Sequence, residues 1–316
     1  MFDYTKTILK PVYFDIGVLE RYFKDPRYLV YYYDYRGTIK KQVENDNEDD
    51  YEHIEHFGLA YSRKNRSKRA IVTFLCVFNE MSERVKSHWF SYRIDKQDEY
   101  FPNEGFVKNL IHGEFGEDIS IYSALLMELS CINRMCEAIS ITPMFREEYK
   151  ESDESQQNQR PIGYHNILLP TRENYYNFIN TLEKITTTNI NIKTFQKSVP
   201  SIDKIDHTYK DEAGTIKTEG SVSMLSDWCE TNFKNNSSIK QSIIAPLKEL
   251  VKLRQIPAHK LYDNEYDEAI WNDQNELMGK IYDAIRYIRS LLANHPSTES
   301  VRVSKFLLDR EHIKTY

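Results

Sequence analysis

The chain has 316 residues, 40% hydrophobic and 28% charged, with ten glycines and ten prolines, the profile of a soluble globular protein with length for one to three domains. Its formal net charge of -6 removes bulk electrostatic attraction as an argument for nucleic-acid binding, although a local basic cleft can form on an acidic protein. Cys76, Cys131, Cys136 and Cys229 show no Cys-x-x-Cys spacing, the N-terminus lacks the pattern of a signal peptide, and no apolar run is long enough to span a bilayer; the expectation is a cytoplasmic protein with reduced thiols and no membrane association.

Twenty-three tyrosines, many near the N-terminus, point to strands or an interaction surface, because Tyr favours a pleated, half-buried environment. Residues 16–23 fit a short helix closed by Lys24-Asp-Pro26. Residues 28–35 read as a strand, with Arg36-Gly37 as the turn into Thr38-Ile-Lys40. The acidic run 44–50 predicts a solvated loop. Residues 55–61 and 70–78 read as the strands of a hairpin. Its connection, Arg63-Lys-Asn-Arg-Ser-Lys-Arg69, holds five Lys or Arg in seven residues, which suits either a solvated tip or a phosphate contact. His53 and His56 have His-x-x-His spacing beside Glu52 and Glu55, but no third ligand follows at a recognisable spacing, so no metal site is assigned and a metal-dependent hydrolase using this pair ranks as the third reading.

Apolar residues recur every three or four positions from Ile121 to Ile139, which predicts a long helix over 118–139 stopped by Pro143. Its Met and Cys stripe reads as core. Residues 147–159 are polar and unpatterned, 164–169 fit a strand, Pro170-Thr171 opens a helix over 172–184, and 186–194 return towards strand character. Residues 1–200 therefore predict an α+β domain. A polar linker at 201–220 precedes a helical domain at 221–316, with helices over 222–233, 238–254 and 275–293 and a short helix or strand in the tail.

The chemistry-bearing candidate is Arg254-Gln-Ile-Pro-Ala-His259, placed at a junction where one helix ends and the next packs back. Cleaving RNA without a metal requires proton transfer to and from oxygen and stabilisation of charge on phosphorus. Imidazole titrates near neutral pH and serves as acid or base, and arginine offers a permanent planar donor fork to phosphoryl oxygens. Spacing alone is uninformative, since Arg160/His165 and Arg289/His295 also match. Arg160/His165 sits in a loop with two breakers, and Arg289/His295 runs off a helix C-terminus where cations complement exposed carbonyls. Only Arg254/His259 lies between two long helices able to pair antiparallel. Arg254 and His259 are thus the catalytic candidates, with Gln255 and Lys260 as substrate-binding neighbours.

In that helical context, residues 222–296 resemble a HEPN domain, an antiparallel helical bundle carrying an Arg-x(4–6)-His motif after a long core helix. The resemblance implies an all-α bundle following the α+β domain. It also implies a metal-independent, cofactor-free endoribonuclease of the bacterial toxin–antitoxin or anti-phage defence type. RNA would be the substrate, the enzyme would be a homodimer with both motifs lining one cleft, and an antitoxin or trigger protein would control it. Gln255 stands where the family commonly has Asn. Residues 1–200 would sense or regulate. The alternative is a non-catalytic HEPN-like dimerisation or binding module in a defence or regulatory complex.

Overall fold

The computed structural model describes residues 9–42, 52–113, 118–149, 161, 163–198, 208–210, 216–218, 220–233, 238–259 and 263–315. The N-terminal part is an antiparallel sheet with short helices, and the C-terminal region is mostly helical. In chain order the sheet region contains β1 (Pro11–Phe14), α1 (Glu20–Lys24), β2 (Tyr28–Tyr33), β3 (Arg36–Lys41), β4 (His56–Ser62), β5 (Arg69–Phe74), α2 (Glu83–Ser91), β6 (Tyr100–Pro102) and α3 (Glu104–Val107). There follow β7 (Ile119–Ser120), α4 (Ile121–Ala138), α5 (Arg172–Ile185), α6 (Lys193–Ser198), the pair β8 (Thr208–Lys210) and β9 (Ile216–Thr218), and α7 (Ser221–Asn232). The chain then forms α8 (Ala245–His259), α9 (Ala269–Leu292), α10 (Lys305–Leu308) and β10 (Ile313–Lys314).

The sheet runs β1-β5-β4-β3-β2, with β6 on the C-terminal half of the edge of β4 whose N-terminal half takes β3. The expected hairpin is β4–β5, in register Gly58↔Val72 and Ala60↔Ala70. The turn between β2 and β3 falls at Asp34-Tyr35, two residues before the expected Arg36-Gly37. Tyr33 pairs with Arg36, and Asp34 takes the left-handed conformation (φ 53°) that Asp tolerates. Gly37 instead serves inside β3, where the Phe57 ring of β4 covers it; a Cβ there would lie 2.2 Å from that ring.

Alternation along β5 separates two cores, as the two-residue period of a strand requires. Ile71 faces the main core, while Ala70, Val72 and Phe74 join Tyr13, Tyr100 and Phe106 behind the sheet. β5 stops at Phe74, short of the expected 78. Residues 75–80 coil into a 3-10 turn, and Phe78 joins Phe14, Trp89 and Phe90 in a ring cluster at centroid distances of 5.0–6.1 Å.

Helix α4 begins where Ser120 accepts the Ser123 amide, and the chain turns at Ser140 (φ 64°) before Pro143. Thr171 caps α5 in the same way through the Asn174 amide. The expected strand at 164–169 does not form. That apolar stretch is held against α9 by side chains: Gln274 accepts the Ile167 amide (2.9 Å) and donates to the His165 carbonyl (3.0 Å), while the Trp271 indole donates to the Ile167 carbonyl (2.9 Å). The Ile167 amide and the His165 and Ile167 carbonyls are thereby satisfied without a ladder. Residues 186–194 contribute one bridge, Phe145↔Ile190, and then α6.

The helices share one core with the sheet, continuous from Val12 to Leu307. Helix α4 packs chiefly on α9, α5 on α8, and α8 on α9. The bundle carrying Arg254 thus includes α4 and α5, which precede the sequence-expected linker.

Candidate functional site

The segment leading into α8 starts with a π-helical turn, Lys240–Ile244, and the helix then runs without a break to His259. The expected junction after Arg254 is therefore absent. Pro257 removes the ladder bond to the Leu253 carbonyl, and the helix continues to His259. Leu247 and Leu250 are fully buried. Arg254 lies one heptad beyond Leu247, on the same stripe, but it is exposed because the core has ended. It makes no ion pair or hydrogen bond to any described residue. Gln255 beside it is exposed as well.

Arg254 and His259 occupy one helix five residues apart, which separates their positions by roughly 140° around the axis. The helix position of His259 instead continues the line of Lys248, Lys252 and Gln255, all three exposed. Two exposed lysines, Lys248 and Lys252, thus stand on this flank of α8, while Glu249 pairs with Lys280 at 3.2 Å. Lys260 lies outside the described residues, as does Arg160 of the Arg160/His165 pair.

The third Arg/His match is structural. Arg289 is buried and its Nε donates to Glu128 Oε2 at 2.5 Å, with Nη2 on the Leu307 carbonyl at 3.3 Å. His295 caps the 3-10 turn that follows α9, accepting the Ser297 amide at 3.2 Å.

At the β4–β5 tip, Arg63 and Arg66 place their guanidinium groups 5.6 and 5.8 Å from the centre of the Phe101 ring, a cation–π pair. Lys64 is answered by Glu99 at 2.7 Å. The fifth cation of the cluster, Arg69, leaves the surface: it is 8% exposed, donates to Asn166 Oδ1 at 2.8 Å and lies 5.1 Å from the Trp271 ring centre. Burial lowers the Arg69 pKa, with Tyr61, Tyr122 and Tyr32 opposing. A basic run that reads as one tip thus splits into a surface patch and a bolt between sheet and bundle.

His56 contacts Thr38 Oγ1 at 3.5 Å and Glu55 at 3.4 Å, and the His53 ring packs on Tyr28. Among the described residues no three His, Cys, Asp or Glu side chains converge as a metal site would require. No helix of the described residues is long and apolar enough to cross a membrane. Compared with known proteins, the chain matches no family model, no curated protein and no solved structure.

Proposed function

We propose that the protein is a metal-independent endoribonuclease of the bacterial toxin or anti-phage defence type. In this reading RNA meets the end of α8, where Arg254 stabilises charge on the phosphoryl oxygens and His259 transfers the proton. Gln255 and Lys260 hold the substrate. Two copies of the chain would bring two motifs to one cleft, and the sheet region would sense a trigger protein or an antitoxin. The observation that carries this reading is Arg254 itself. It is an exposed guanidinium on the core-facing stripe of α8, beyond the last buried leucine and without an internal partner among the described residues.

The test is cleavage of single-stranded RNA in EDTA, followed by analysis of the ends. The expected products carry 2′,3′-cyclic phosphates, because the substrate's own 2′-hydroxyl is the nucleophile. His259→Ala and Arg254→Ala are each expected to reduce the rate by 10²-fold or more, in line with the loss of one acid–base or charge-stabilising group. Undiminished cleavage by both variants would remove the assignment.

The non-catalytic HEPN-like module is supported by one observation of its own, the separation of roughly 140° between positions 254 and 259 on a continuous helix. On that reading the purified wild type leaves RNA intact, and the exposed flank of Lys248, Lys252 and Gln255 docks a partner or second copy.

A further inference from the structure

We propose that the groove between the start of the α8 segment and the C-terminal half of α9 binds a phosphoryl group, with Arg286 as its anchoring cation. The groove holds about 580 Å³, within the range of small-molecule sites, and hydroxyl-bearing and cationic side chains line it. Ser238 and Ser242 come from the turns that precede α8, and Lys280, Asp283, Arg286 and Tyr287 come from α9. The π-helical turn Lys240–Ile244 forms one wall. Such widened turns hold side chains at positions a regular helix does not offer.

Of the three charged residues that line the groove, only Arg286 lacks an ion-pair partner among the described residues. Lys280 is answered twice, by Glu276 at 2.9 Å and Glu249 at 3.2 Å, and Asp283 is answered by Arg310 from the tail. Arg286 is half-buried, and no described carboxylate pairs with it. The buried Glu128 lies close enough to feel its charge, but that carboxylate is bonded to Arg289 and Tyr282. A planar fork of donors, half-withdrawn from water and left with open valences, is the arrangement that takes two oxygens of a phosphate. Beside it the hydroxyls of Ser238 and Tyr287 are hydrogen-bonded to each other at 2.7 Å and line the same groove. Two sources carry this group, a free nucleotide-sized phosphate ester and the backbone of a nucleic acid. The inference holds whether or not Arg254 and His259 cut RNA.

The full chain is titrated calorimetrically with pyrophosphate, with adenosine monophosphate and with a single-stranded RNA oligonucleotide, at two salt concentrations. Saturable, salt-weakened binding is expected for at least one probe. Arg286→Gln should weaken it by about tenfold or more, the worth of a charge-assisted bond. Arg286→Lys, which keeps the charge and removes the fork, should fall in between. Thermal unfolding of each variant reports whether the fold is intact. Binding of adenosine monophosphate assigns a free phosphate ester, binding of pyrophosphate without it assigns a site for the phosphoryl group alone, and binding of the oligonucleotide alone assigns the backbone. The proposal is overturned if no probe binds the wild type, or if a folded Arg286→Gln variant binds as tightly as the wild type.

Discussion

Glu128 of α4 and Arg289 of α9 meet 2.5 Å apart at 0% and 8% side-chain exposure, with the Tyr282 hydroxyl on the second carboxylate oxygen at 3.3 Å. The pair lies between the two helices that pack most extensively, and Arg289 also holds the Leu307 carbonyl of α10. Removing one partner of a buried pair strands the other charge out of water, at a cost of roughly 3–5 kcal/mol, whereas replacing both with apolar groups is often neutral. Glu128→Ala and Arg289→Ala should each lower the unfolding free energy read from urea titration by that amount. Glu128→Leu/Arg289→Met should recover most of the loss. A double variant as weak as the sum of the singles would show that the two residues act independently.

Two glycines test space and a third tests backbone freedom. A Cβ at Gly37 would lie 2.2 Å from the Phe57 ring, and one at Gly58 would lie 2.4 Å from Phe106, whose ring stacks on Phe74 at 5.8 Å. Both substitutions to Ala overpack the sheet and should cost about 1–3 kcal/mol. Gly279, inside α9, has nothing within 4 Å of an added Cβ. There Gly279→Ala should stabilise by roughly 0.5–1 kcal/mol through helix propensity and a less free unfolded chain. Denaturant titrations of the three variants decide the sign, and a destabilised Gly279→Ala would refute the packing described around α9.

Local signals carried much of the fold. The period of α4, the Pro170-Thr171 opening of α5 and the apolar run of β5 are readable within ten or twenty residues of sequence, although α4 starts at Ile121 behind the Ser120 cap rather than at 118. What escaped depends on distant partners. Residues 164–169 have the composition of a strand, but Gln274 and Trp271, about a hundred residues away, satisfy their backbone and make a ladder unnecessary. Gly37 reads as a turn until Phe57 is placed on it. At the candidate site the exposure of Arg254 follows from where the core ends, whereas the passage of α8 through Pro257 does not follow from a residue that usually stops helices. Arg69 looks like one more charge of a basic tip. Its burial beneath Trp271 becomes visible only once the sheet and α9 are assembled.

The thiols divide by burial. Cys131, Cys136 and Cys229 are buried, and burial pushes the Cys136 and Cys229 thiols up to about 12; Cys131 is shifted in the same direction. Thiolate is the reactive form, so these three should stay inert at pH 8. Half-buried Cys76 is the accessible one. An aromatic disulfide reagent should titrate one thiol per native chain and four in denaturant. Rapid reaction of a second native thiol would contradict the packing of α4 or α7.

Two histidines set the direction of the pH dependence near neutrality. His88 lies on α2 with Nε2 2.9 Å from the Val18 carbonyl and its ring against Tyr22 and Tyr92. Burial lowers its pKa below 6.5, with that carbonyl opposing; burial also lowers the pKa of His56, with Glu55 opposing and Arg36 adding. Between the lowered folded values and about 6.5 in the unfolded chain, the unfolded state binds more protons. Their contribution is therefore complete above that unfolded value and is lost as pH falls through the folded values. The carboxylates whose pKa is depressed, such as Asp25 at about 2 beside Arg27, act at lower pH, whereas Glu128 and Asp273, both raised chiefly by burial, act in the opposite direction, their contribution being lost as pH rises through the folded values. The urea midpoint should fall between pH 7.5 and 5.5. In His88→Gln, whose amide can still donate to Val18, the slope should shrink, and it should shrink further in His88→Gln/His56→Gln. An unchanged slope in the double variant would assign the pH dependence to other groups.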